Sequence, residues 1–180
     1  MRYVSILRGI NVSGQKKIKM ADLKALFEVQ GFVNVTTYIQ SGNVVFESAE
    51  TDRSKLKETI ERAVERKYRF HVPVDLRTGQ ELKEIIDCCP YEEAKSEEND
   101  AKVLVTFLHS APSKKKQELL LEYVKEPERL VAKGAEIYLY CPNGYGKSKL
   151  SNTFLENKLG ISATTRNWKS VKKLYELSAQ

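Results

Sequence analysis

The stretch that most restricts how this chain can fold is Tyr38-Ile39-Gln40-Ser41-Gly42-Asn43-Val44-Val45-Phe46. Two β-rich runs, residues 35–40 and 43–47, flank Ser41-Gly42, which reads as a hairpin turn with glycine where positive φ is needed. Alternation turns Thr37, Ile39, Val44 and Phe46 inward and leaves Tyr38, Gln40, Asn43 and Val45 outward. The hairpin is therefore expected at the centre of a small sheet whose outer face carries amides and an aromatic ring.

The elements around it follow a definite order. Residues 3–7 read as a strand, 8–14 as the loop after it, and 20–30 as a helix with Leu23, Leu26 and Phe27 on one face and Gly31 as its stop. After the hairpin, Thr51 or Asp52 caps a second helix carrying Leu56, Ile60, Ala63 and Val64 on its buried stripe. Residues 72–76 form a short strand whose Pro73 suits an edge or a strand start. Strand, helix, strand, strand, helix, strand is the split βαβ, ferredoxin-like order.

A helix opened by Thr78-Gly79 and halted at Cys88-Cys89-Pro90 then acts as a linker, and the acidic stretch 91–100 reads as a loop. Beyond it the order repeats: strand 102–108, a helix from Pro112-Ser113, strands 129–132 and 136–140, helix 149–158 and an extended segment 161–165. A last helix, 168–177, is added, and no residue-level repeat accompanies the duplicated order. The expected fold class is α+β, two ferredoxin-like (α/β-plait) lobes in tandem. The first spans residues 1–78; the second, 79–180, includes the leading linker helix and the extra C-terminal helix.

Charge and cysteine content narrow the functional classes. Thirty Lys and Arg against 24 Asp and Glu leave a net charge of +6, which favours an anionic partner. The basic residues are interleaved with acidic ones, however, as on solvated helix faces rather than along a nucleic-acid stripe. No apolar run approaches the roughly 20 residues of a membrane span, so no membrane partner is expected. Met1-Arg2-Tyr3-Val4 runs straight into a strand, unlike a signal peptide. Cys88, Cys89 and Cys141 are odd in number and lack metal-ligand spacing, which points to a reducing cytoplasm. His71 and His109 stand alone, so neither a metal nor a cofactor is expected. There is no G-x-S-x-G elbow and no recognisable acid–base pair, so nothing in the chain demands an enzyme.

Three loops carry possible chemistry. Asn143 to Ser148 lies between a strand and a helix, where glycines and a helix N-terminus can gather around an anion. A P-loop would need glycine at position 141, where this chain has Cys141. Ahead of the last helix, Asn167 is placed to cap it and Trp168 to dock it. Arg166 beside that N-terminus opposes the helix dipole unless an anion, carboxylate or carbonyl meets it. In the third loop, where Gly9 and Gly14 allow tight turns, Arg8 and Asn11 offer donors, with Lys16, Lys17 and Lys19 close by.

Two of these loops and the hairpin also carry motifs. Leu7-Arg8-Gly9-Ile10-Asn11-Val12-Ser13-Gly14 with Met20, the run Thr37 to Phe46, and Thr164 to Trp168 resemble the LRGINV, TYIQSGNVVF and TTRNW motifs of a widespread bacterial family of uncharacterised proteins, a domain of unknown function. Ser13 stands where that family commonly has glycine. The resemblance implies paired α/β-plait lobes and brings no activity, substrate or catalytic residue.

The expected function is binding of a small anionic or phosphate-bearing ligand at loops between the two lobes. Arg8, Asn11, Gln40, Asn43, Lys147, Ser148, Arg166 and Asn167 are the expected ligand-binding residues. The alternatives are an enzyme of unknown reaction using the same cleft, RNA or single-strand binding on the sheet face, and a protein-interaction scaffold using the sheet edges. No motif specifies the ligand or the oligomeric state.

Overall fold

The computed structural model describes residues 1–180 and divides them into two units, Met1–Lys83 with Leu174–Gln180, and Glu84–Lys173. The first unit contains β1 (Arg2–Leu7), α1 (Met20–Val29), β2 (Val33–Tyr38), β3 (Asn43–Glu47), α2 (Arg53–Tyr68) and β4 (Val74–Arg77). The sheet order is β2-β3-β1-β4 with every pair antiparallel. On the helix side, Tyr3, Leu7, Val44 and Phe46 meet Leu23 and Phe27 of α1 and Leu56, Ile60 and Val64 of α2. Each such buried side chain contributes about 1.5–3 kcal/mol, so the helical spacing of the apolar positions is what seats both helices. Asp52 caps α2, its Oδ1 accepting from the backbone N–H of Ser54 and Lys55 at 2.9 and 3.2 Å.

The hairpin departs from expectation in three ways. β2 ends at Tyr38, so Gln40 belongs to the turn rather than to a strand. Ile39, assigned inward, lies in that turn with its side chain 46% exposed. Asn43 and Val45, assigned to an outer face, are 0% and 3% exposed, and Val4 and Ile6 on the neighbouring strand are buried as well. Tyr3 joins the helix-side core, its ring 5.8 Å from that of Phe46. The face that carries Val4, Ile6, Asn43 and Val45 is therefore buried rather than solvated. Alternation separates the two faces of a strand but does not say whether the second is solvated.

The second unit repeats the topology with β5 (Val103–Leu108), α4 (Lys114–Leu121), β6 (Arg129–Lys133), β7 (Glu136–Tyr140), α5 (Asn152–Leu159) and β8 (Ala163–Asn167), in the order β6-β7-β5-β8. Here α3 denotes Gly79–Asp87 and α6 denotes Trp168–Ala179. The repeat that residue identities conceal is visible in strand register. Val4 pairs with Arg77 and Val105 with Arg166, so the two arginines occupy equivalent positions before α3 and α6. Each donates from Nη1 to the carbonyl of the residue before it, Leu76 at 3.1 Å and Thr165 at 3.0 Å.

Two further corrections concern loops. The stretch 91–100 contains two short 3₁₀ turns, Glu92–Lys95 and Glu97–Asn99. It is pinned because Tyr91 Oη donates to Tyr138 O and Trp168 Nε1 donates to Ala94 O, both at 3.0 Å. Helix α5 begins later than expected: Ser151 caps it, accepting from Phe154 N–H at 3.2 Å, and the glycine-rich loop closes instead as a 3₁₀ turn, Tyr145–Lys147. That loop is thus separated from the helix N-terminus whose potential it was expected to share. No helix is long and apolar enough to cross a membrane.

Candidate functional site

In the N-terminal lobe the loop after β1 and the β2–β3 turn form one interlocked cluster. Gln15 N–H donates to Val12 O at 2.9 Å across Ser13 (φ 50°) and Gly14 (φ 76°), the left-handed pair of a type I′ turn. Asn11 spends its whole amide on the backbone: Nδ2 donates to Ile18 O at 2.9 Å and Gln40 O at 2.8 Å, and Oδ1 accepts from Ile18 N–H at 2.9 Å. Asn43 Nδ2 likewise donates to Tyr38 O and Ser41 Oγ, at 3.0 and 3.1 Å. Gly42 sits so close beneath Ile10 that a Cβ would lie 2.5 Å from Ile10 Cδ1 and 3.0 Å from Leu7 Cβ.

Of the candidates in this lobe, then, Asn11 and Gln40 are brought together, but by a structural bond. The Gln40 side chain is exposed, and Arg8 is half-buried with its N–H on Pro73 O at 2.9 Å. Lys16 reaches His71 O at 2.7 Å, while Lys17 and Lys19 are exposed.

In the C-terminal lobe the side chains of the β8–α6 junction find protein partners as well. Arg166 is 7% exposed and finds the Thr165 carbonyl, one of the partners its position next to a helix N-terminus demands. Asn167 Oδ1 accepts from Ser170 N–H at 3.0 Å and caps α6. The hydroxyls of Thr106 and Thr165 lie 2.7 Å apart; Thr165 donates to Asn152 Oδ1 at 2.6 Å and accepts from Tyr145 Oη at 3.2 Å. With one proton per hydroxyl this pattern is self-consistent, and it fastens the glycine-rich loop to β8 and to the first residue of α5.

Lys147 belongs to a different feature. Antiparallel pairing of β6 and β7 sets Arg129 opposite Tyr140, so the residues before 129 run beside those after 140. Between them lies a groove of about 400 Å³ lined by Lys125, Glu126, Pro127 and Glu128 on one side and Asn143, Lys147 and Lys149 on the other, with Tyr123 as a wall. The Tyr123 ring is held in place by Lys158, whose Nζ donates to its hydroxyl at 2.8 Å, and by an edge contact with Phe154 at 5.0 Å. Ser148 Oγ accepts from Leu150 N–H at 3.1 Å. Burial pushes the neighbouring Cys141 thiol up to about 11, the Glu128 carboxylate adds to the rise, and a hydrogen bond with Ser148 opposes it. This thiol stays protonated at neutral pH and offers no nucleophile.

Next to the groove, Arg129 stacks between the rings of Tyr91 and Tyr140, 4.9 and 4.5 Å from their centroids, and pairs with Glu93. No three His, Cys, Asp or Glu side chains are grouped to hold a metal ion. Of the groove-lining residues, Asn143 heads a loop that the sequence had singled out, whereas Lys125, Lys149 and the two glutamates were not among the expected residues. The signal that could have found Lys125 and the glutamates was the hairpin itself, because the β6–β7 register, continued past Arg129 and Tyr140, runs residues 125–128 alongside 141–144.

A family model described as a protein of unknown function (DUF1697) matches residues 1–138. The chain belongs to the DUF1697 family. The matched range takes in the N-terminal cluster and the Lys125–Glu128 side of the groove. Among solved structures, a conserved bacterial protein, SP0830 from Streptococcus pneumoniae, is similar at 22% identity and a TM-score of 0.75, with 98% of each chain covered. At that identity the likeness concerns the fold, two four-stranded antiparallel sheets with helices, in tandem lobes. No curated protein matches the chain.

Proposed function

We propose that this DUF1697 protein binds a small phosphate-bearing ligand in the groove of its C-terminal lobe. The observation that carries the reading is the convergence of Lys125, Lys147 and Lys149, from two separate segments, on one groove of ligand size. Lysine ammonium groups act on phosphate as compact point charges with three donors each, and no fixed planar geometry is required of the loop. Gly144, at φ 95°, turns the chain directly after Asn143 and so sets Lys147 on the rim. This reading does not draw on Asn11, whose amide is committed to backbone partners, or on Asn43, whose Nδ2 is committed to Tyr38 O and Ser41 Oγ.

The test is thermal unfolding of the full chain against inorganic phosphate and pyrophosphate, with chloride at matched ionic strength as control. At about 100 times Kd a ligand of the native state adds about 2.7 kcal/mol, a rise of about 5–10 °C for a chain of this size. The rise should saturate and disappear in the Lys147→Ala/Lys149→Ala double variant. An equal rise with chloride, or an undiminished rise in the double variant, would overturn the proposal.

A further inference from the structure

Building on that anion-site reading, we infer that the groove is shaped for a phosphorylated sugar or other polyol monophosphate rather than for phosphate alone. The lining carries three lysines but also Glu126 and Glu128, against which a bare phosphate gains less than it would in a purely basic site. An ionised carboxylate only accepts hydrogen bonds. Its complement is a donor, and an ionised phosphate oxygen is none. A ligand that sets its phosphate among the lysines and its hydroxyls against the glutamates satisfies both halves of the groove at once.

Three observations favour hydroxyls as those donors. Lys125 and Lys149 in the same small space repel an ammonium group, and three cations against two anions leave the lining net positive. Asn143 adds a neutral amide able both to donate to and to accept from a hydroxyl. The ring of Tyr123, already fixed by Lys158 and Phe154, and the adjacent Pro127 offer rigid apolar walls for a carbon skeleton, so little side-chain ordering is left for binding to offset. The main-chain turn that presents Glu128 is fixed, its backbone N–H donating to Lys125 O at 2.8 Å, and the residue is half-buried.

The experiment is isothermal titration of the full chain with inorganic phosphate, ribose, ribose 5-phosphate and O-phosphoethanolamine, in the native protein and in Glu128→Gln, Glu126→Gln and Lys147→Ala/Lys149→Ala. Ribose 5-phosphate should bind at least about tenfold more tightly than phosphate, a gap of about 1.4 kcal/mol. Glu128→Gln should shrink that gap without weakening phosphate. Should Glu128→Gln fail to fold, the exposed Glu126→Gln reads out the same gap. If phosphate binds and ribose 5-phosphate binds no better, the polyol inference falls while the anion site stands. Tighter binding of O-phosphoethanolamine than of ribose 5-phosphate would assign the glutamates to an amine and overturn the inference equally. If neither phosphate nor ribose 5-phosphate binds, both readings fall.

Discussion

Gly42→Ala tests how the N-terminal cluster is assembled. Gly42 adopts φ 84°, and a Cβ there would meet Ile10 Cδ1 at 2.5 Å, Ile10 Cγ1 at 2.8 Å and Leu7 Cβ at 3.0 Å. The left-handed backbone alone costs alanine about 1–2 kcal/mol, of which about 0.4–1 is returned by the stiffer unfolded chain. Overpacking adds about 1–3 kcal/mol, because Ile10 is 1% exposed and the Leu7 Cβ is anchored in β1. The net expectation is a loss of about 3 kcal/mol.

Gly31→Ala is the matched control: the same lobe, φ 86°, and nothing within 4 Å of its Cβ, so only the backbone share of about 1 kcal/mol applies. Urea unfolding followed by circular dichroism measures both, with the slope checked so that the midpoints compare like with like. Adding Ile10→Val removes the nearest clashing atom and should recover part of the Gly42→Ala loss, a coupling of at least about 0.5 kcal/mol. Equal losses at Gly42 and Gly31, or strict additivity with Ile10→Val, would refute the claim that the turn is seated on Ile10.

Two other predictions follow from local geometry. Ser13 occupies the left-handed second position of its turn, so Ser13→Gly should stabilise by about 0.5–1 kcal/mol and raise Tm by about 1–4 °C, while Ser13→Ala, which keeps the strain, should bring no gain. Burial raises the Glu81 carboxyl, but the Arg53 guanidinium at 2.8 and 3.0 Å and the Thr78 N–H outweigh it and hold the group below its ordinary 4.5. A depressed carboxylate contributes stability above its unfolded value and loses it as pH falls through the folded one. The native protein should therefore exceed Glu81→Gln by about 0.5–1 kcal/mol at pH 7, the gap closing progressively below pH 4.5; a gap independent of pH in urea titrations would exclude this origin.

Several of the candidate side chains also hold the chain together, for a reason visible in particular residues. Asparagine at position 11 reads equally well as a ligand donor or as a clamp on the chain, and only the positions of Ile18 O and Gln40 O decide between them. Arg166 required a partner on physical grounds, and the carbonyl of Thr165 was among the partners its setting allowed. The groove was less legible because Lys125 and Lys147 are distant in sequence, and neither segment alone has a motif of its own.

What the amino-acid sequence determined by itself was the order of elements and the two lobes. Both rest on local periodicities, apolar residues every three to four positions in helices and every second in strands, reinforced by the caps at Asp52, Ser113 and Gly160. Tertiary structure alone decided which strand faces are dry and which lysines meet glutamates in one groove. Those outcomes depend on contacts between residues far apart in the chain. Periodicity carries no record of a contact until the backbone has brought its two sides together.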